Sequence, residues 1–142
     1  MVLKTLHSLD VSDDLQRQVT RLYSQLNSRI DQLELSRVLE NDDRIVFVCC
    51  LVEGKIVGIA SMALYKVISG HKGMIEDVVV DANERGKGIG RKLMVTLLEE
   101  GKKRHLDEIL LFTGHHRLAA IQLYKSLGFK LKESGIYNLR FS

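Results

Sequence analysis

Arg85-Gly86-Lys87-Gly88-Ile89-Gly90-Arg91-Lys92 sets three glycines at alternate positions between a Val-rich stretch and a segment that repeats Ile89, Leu93 and Leu97 at helical spacing. Without a Cβ the chain can turn sharply there and aim successive N–H groups at one ligand, which makes the segment a candidate anion cradle. Four cations, Arg85, Lys87, Arg91 and Lys92, crowd the same helix start. Against the positive end of a helix dipole each is unfavourable by about 0.3 to 1 kcal/mol, and a bound diphosphate reverses that sign. A glycine turn with solvated charges explains the segment alone equally well. Two other phosphate loops do not fit. The terminal Gly-Lys-Ser/Thr of a nucleoside triphosphate loop is missing, and the dinucleotide fingerprint needs its last two glycines three apart and an acidic residue ending a later strand.

Just upstream, Ile75-Glu76-Asp77-Val78-Val79-Val80 puts two carboxylates inside an apolar run, where they are costly unless paired or used. Strand alternation sends adjacent side chains to opposite faces, so Glu76 is expected to share a face with Val78 and Val80, and Asp77 to lie on the other. His115 and His116 precede a late helix and are proton-relay candidates, although exposed loop histidines are commoner. Cys49 and Cys50 are adjacent in a strand-like run, point to opposite faces and read as buried free thiols. Neither a Cys-x-x-Cys pair nor a His cluster supports a metal site.

These residues need a scaffold, and the hydrophobic pattern supplies one. A strand over Val2–His7 leads to the helix signal Ser12-Asp13-Asp14 and a helix with Leu15, Val19, Leu22 and Leu26 on one face. A second short helix is expected at roughly Ile30–Glu40. Ile45–Val52 and Ile56–Tyr65, joined at Glu53-Gly54-Lys55, form a hairpin, and a strand over Met74–Val80 follows the turn at Ser69–Gly73. The second half alternates: helix Gly88–Arg104, strand Glu108–Phe112, helix Arg117–Leu127, then strands Phe129–Glu133 and Ile136–Phe141. The class is mixed α/β in a single domain over residues 1–142, with antiparallel strands first and crossover connections later.

At this point the sequence resembles the GNAT family of N-acetyltransferases. The family's Gln/Arg-x-x-Gly-x-Gly/Ala signature stands complete as Arg85-Gly86-Lys87-Gly88-Ile89-Gly90, after the matching strand Val78-Val79-Val80. A second block, Ala-x-x-Leu-Tyr-x-x-Leu-Gly-Phe, matches Ala120–Phe129. Arg117 departs from the asparagine often found three positions before that alanine. The Ile75–Val80 strand is also similar to that of glucosamine-6-phosphate N-acetyltransferases. The resemblance implies a mixed sheet with antiparallel N-terminal strands and a parallel pair at its centre, flanked by about four helices.

It further implies acetyl-CoA as cofactor and direct transfer of its acetyl group to a primary amine. Backbone N–H groups of Gly86, Lys87, Gly88, Ile89, Gly90 and Arg91 would take the pyrophosphate, with Arg85 and Arg117 as further contacts. Val78, Val79 and Val80 would lie along the pantetheine arm like an added strand. Tyr124 is the family's usual general acid: a phenol of pKa near ~10 can reprotonate a thiolate of pKa near ~8.5. On its own it also reads as core, since Ala120, Leu123, Tyr124 and Leu127 form a helical stripe. An alkylammonium of pKa near ~10.4 must lose a proton before it attacks, and Glu76 is the preferred base, a salt bridge being its alternative role. Substrate contacts are expected around Asn27, Ser28 and Arg29, and at Ser134-Gly135.

Composition sets the outer bounds. The 142 residues are 45% hydrophobic and 27% charged with a net charge of +3, as for one globular domain, and the positive excess is too small to argue for nucleic acid. The expected partner is a small-molecule or peptide amine, neither nucleic acid nor membrane is expected, and a homodimer is compatible with this reading. Residues 1–7 lack the pattern of a secretory signal, so a cytoplasmic location is expected. A CoA-binding regulatory module without transfer is the competing function.

Overall fold

The structure, a computed structural model, describes residues 1–141. The chain falls into two compact units, Met1–Phe112 and Thr113–Ser142. The first holds a five-stranded sheet in the order β1-β2-β3-β4-β5, formed by β1 (Val2–Leu6), β2 (Ile45–Val52), β3 (Lys55–Val67), β4 (Gly70–Val80) and β5 (Glu108–Leu111). Neighbouring pairs are antiparallel up to β4, and β4 pairs with β5 in parallel. The crossover between these last two is the helix Ile89–Lys103 (α3).

Helices cover both faces, so the inner strands read as unbroken apolar runs rather than alternating ones. Phe47, Cys49, Ile59 and Val79 join Val19 and Leu22 of the helix Asp13–Ser24 (α1) in one core layer. On the opposite face, Ile89, Leu93, Met94 and Leu97 of α3 are fully buried. Gly58 sets how closely α3 can approach: a Cβ there would meet Ile89 Cγ2 at 2.8 Å and Leu93 Cδ1 at 3.0 Å. Cys49 and Cys50 are buried free thiols, as expected, and burial pushes the Cys49 thiol up to about 11. No helix among the described residues is long and apolar enough to cross a membrane.

Three expectations need correction. The helix expected over Ile30–Glu40 shrinks to Leu35–Val38 (α2). The residues before it are held as a loop by side chains instead: Gln32 Nε2 donates to the Thr20 carbonyl at 3.1 Å and the Leu35 N–H to Gln16 Oε1 at 2.7 Å. The segments Phe129–Glu133 and Ile136–Phe141 pair with no strand, and Leu131, Tyr137, Leu139 and Phe141 are exposed. Strand propensity holds a strand only where the segment pairs, and these segments do not. For the same reason the parallel pair β4–β5 ends the five-stranded sheet instead of occupying its centre. The second unit is organised around the helix Leu118–Ser126 (α4).

Candidate functional site

The glycine loop is built by conformation. Gly86 and Gly88 have φ of 81° and 80°, a left-handed region that disfavours other residues, and Gly88 is the N-cap of α3. A Cβ at either glycine would have no protein atom within 4 Å, so the space above the loop is open to a ligand. The loop is tied down at its start, where the Ala82 N–H donates to Gln25 Oε1 at 2.9 Å and the Asn83 N–H to the Asp81 carboxylate at 2.9 Å. Lys87 Nζ donates to Glu84 at 2.7 Å. Because the first helical N–H groups have no carbonyl to bond, they face the same open space.

β4 feeds this loop, and its outer edge is free where the two meet. Pairing with β5 runs only from Lys72↔Glu108 to Ile75↔Leu111, which leaves Glu76–Val80 without a strand on that side among the described residues. The Asp81 N–H donates to the Val57 carbonyl at 2.8 Å, so by alternation the backbone groups of Val78 and Val80 turn away from β3 toward the free edge. The Val80 carbonyl already accepts from Arg85 Nε at 3.3 Å.

A β-bulge corrects the expected placement of the two carboxylates. Ile59 pairs with Val79 but Ser61 with Glu76, so β4 carries one extra residue at this point. Asp77 absorbs it with a φ of 57°, a conformation that aspartate tolerates better than most side chains. The insertion inverts the alternation. Glu76 shares its face with Val79, not with Val78 and Val80, and Glu76 and Asp77 line the same cavity. Ser61, buried on the facing strand, donates its hydroxyl to the Glu76 carbonyl at 3.1 Å.

That cavity, of about 450 Å³, lies between α1, the loop around Ile30–Leu33 and the sheet. Tyr23 of α1 also lines it and donates its hydroxyl to the Asp77 carboxylate. Sequence reasoning missed Tyr23, although it stands one turn after Val19 on the apolar face of α1. Burial raises the Glu76 carboxyl above the usual range, and repulsion from Asp77 adds to it. Burial also raises Asp77, with the Tyr23 hydroxyl opposing. The Tyr23 phenol is itself pushed up by burial and by Asp77. The three groups form one electrostatically linked cluster. A larger cavity, of about 600 Å³, opens at the other end of β4 around Lys66, His71 and Arg104 and touches none of these residues.

In the second unit, Tyr124 is half-buried on α4 with its ring edge-on to Phe129, centroids 6.2 Å apart. Burial raises the Tyr124 phenol and the positive charge of Arg117 opposes that rise. Arg117 is the N-cap residue of α4 and is exposed, as are His115 and His116.

Residues 6–129 match the Acetyltransferase (GNAT) family. The chain belongs to that family. It is 37% identical over 79 residues to a mycothiol acetyltransferase of Thermobispora bispora, covering 54% of this chain and 27% of that protein. Over 88 residues it is 35% identical to the glucosamine 6-phosphate N-acetyltransferase of Trypanosoma brucei brucei, covering 60% of this chain and 58% of that one. Among solved structures, an acetyltransferase of Trypanosoma brucei superposes with a TM-score of 0.78 at 25% identity, covering 98% of this chain and 99% of that one. The chain thus spans between a quarter and three fifths of the length of these two sequence relatives.

GNAT enzymes draw the acetyl group from acetyl-CoA. The residues here fit that cofactor. Two left-handed glycines leave open space where a diphosphate would approach α3. Beside them runs a free strand edge on which an amide-bearing arm can pair.

Proposed function

We propose that the chain is an N-acetyltransferase, a single catalytic domain that uses acetyl-CoA to acetylate a primary amine by direct transfer. The observation that carries this reading is the bulge in β4, which sets Glu76 and Asp77 on a cavity at the free strand edge leading into the glycine loop. Acetyl-CoA would supply the acetyl group as a thioester. Backbone N–H groups from Gly86 to Arg91 hold the pyrophosphate, with Arg85 and Lys87 adding positive charge, and on the family resemblance Arg117 is a further cofactor contact. The outward backbone groups of Val78 and Val80 align the arm, while the Val79 side chain stays in the core.

Glu76 takes the proton of the incoming ammonium at its carboxylate, directly or through water. Its raised pKa brings it closer to the working pH of a general base. Tyr23 fixes Asp77 and acts as a positioning residue. On the family resemblance, the Tyr124 hydroxyl gives its proton to the departing sulfur. One C–N bond forms as one C–S bond breaks; of the two protons the ammonium nitrogen gives up, one is balanced by the proton that sulfur gains from Tyr124 and the other passes from Glu76 to water. The reading is tested by incubating the full chain with acetyl-CoA and a panel of amines, following free thiol and acetylated product. Thiol release that depends on an amine is expected. CoA binding by calorimetry with no amine turned over would favour a regulatory CoA-binding module instead.

A further inference from the structure

The chemistry of the cavity walls limits which amine can enter. We propose that the acceptor is an aliphatic amine carrying a second positive charge and no phosphate or carboxylate, an inference that rests on the N-acetyltransferase reading above. The cavity presents carboxylates on two separate walls: Glu76 and Asp77 on the sheet, Asp31 on the loop between α1 and α2. None of the three forms an ion pair among the described residues, and the described lining contains no lysine, arginine or histidine. Between the acidic walls the surface is mostly apolar, including Ile30, Leu33, Leu35, Phe47 and Ile59, and its neutral polar members Tyr23, Gln32 and Ser61 are already engaged with Asp77, the Thr20 carbonyl and the Glu76 carbonyl.

An anionic amine would bring its phosphate or carboxylate among three unpaired carboxylates with no cation to receive it, a built-in repulsion. A neutral sugar would leave its hydroxyls against hydrocarbon. A hydrocarbon chain with an ammonium at each end satisfies both features. Its stem covers the apolar walls, its reacting nitrogen meets Glu76, and its distal charge meets Asp31. The volume, about 450 Å³, is that of a small-molecule site. The loop bearing Asp31 is a fixed wall, since Gln32 and Leu35 on the same segment are bonded to Thr20 and Gln16 of α1.

The test compares 1,5-diaminopentane, 1-aminopentane, glucosamine 6-phosphate and aspartate as acceptors with acetyl-CoA, alongside calorimetry of each with the CoA-saturated chain. Diaminopentane is expected to exceed aminopentane in kcat/KM by about tenfold, with both anionic amines near background. An anionic amine that equals the diamine, or equal rates for the two pentylamines, overturns the proposal while leaving N-acetyl transfer standing. Diamine binding without acetyl transfer to any amine upholds the ligand class and removes the transferase reading. Absence of diamine binding overturns the proposal outright. Asp31→Asn should narrow the preference for diamine over monoamine at least fivefold, roughly. An equal loss for both amines would show that Asp31 does not read the second charge.

Discussion

The two ends of the proposed acylation site are built by opposite means. In the Arg85–Arg91 loop the chain removes side chains: left-handed conformations fall on Gly86 and Gly88, and the recognition surface is backbone N–H. In the cavity the left-handed conformation falls on Asp77, a residue with a functional side chain, and the recognition surface is carboxylate. A diphosphate needs close approach and tolerates little steric variety, so glycine suits it. An amine needs charge and a proton acceptor, which backbone cannot supply, so the strain is carried by a residue whose side chain is kept. Changes in the loop should therefore act on cofactor affinity, and changes in the cavity on acceptor chemistry.

Tyr124→Phe sets the upper end of the scale, because it removes the proposed proton donor, which belongs to neither region. kcat should fall by something on the order of 10² while CoA affinity holds, since the ring and its Phe129 contact remain. Retained turnover would assign Tyr124 to packing alone.

Within the loop, Gly88→Val should weaken CoA binding by more than about tenfold. Gly54 supplies the control: its φ is 77°, and a Cβ there would likewise meet nothing within 4 Å. Gly54→Val thus introduces comparable backbone strain in the β2–β3 turn. Calorimetry should find similar losses of thermal stability in the two variants but a loss of CoA affinity only at Gly88. Parallel losses of affinity would mean that strain, and not the filled cradle, is responsible.

In the cavity, Glu76→Gln is expected to lower kcat/KM by about tenfold near neutral pH and by progressively less as the amine deprotonates unaided. CoA affinity should be unchanged, the converse of the Gly88 result. A loss equal at every pH, together with a lower Tm, would reassign Glu76 to a structural role.

The contrast between the regions also separates what could be read from residues and what required the fold. The loop was legible because glycine spacing, local cations and the following helical stripe are contiguous. Glu76 and Asp77 were legible as unusual, two acids in an apolar strand, but their common face was not. Alternation sends them apart, and only the register of β4 on β3, set by Ser61 opposite Glu76, reveals the extra residue. The same non-locality explains Tyr23, whose partner Asp77 lies far along the chain. It also explains α2, where Gln16 and Thr20 of α1 hold the preceding residues in a loop. The segments after Phe129 have strand composition, but they pair with no strand among the described residues.

The smallest expected effect lies at Asp77 and tests whether its carboxylate is a burden the fold carries for the site. Its folded pKa is raised, chiefly by burial. A carboxyl shifted upward contributes stability that is fully present below its unfolded pKa, near ~3.9, and is lost as pH rises through the folded value. At neutral pH the ionised group is therefore a net cost. Asparagine tolerates the left-handed conformation, and its Oδ1 can still accept from the Tyr23 hydroxyl. Asp77→Asn should match or slightly exceed the native Tm at pH 7, and any gain should vanish near pH 4. Asp77→Val, which brings a β-branched side chain to a φ of 57°, should instead lose about 1 to 3 kcal/mol at both pH values. An Asn variant less stable than the native chain by the same amount at both pH values would mean that the carboxylate supports the fold, and the contrast between the two regions would fail at its strained residue.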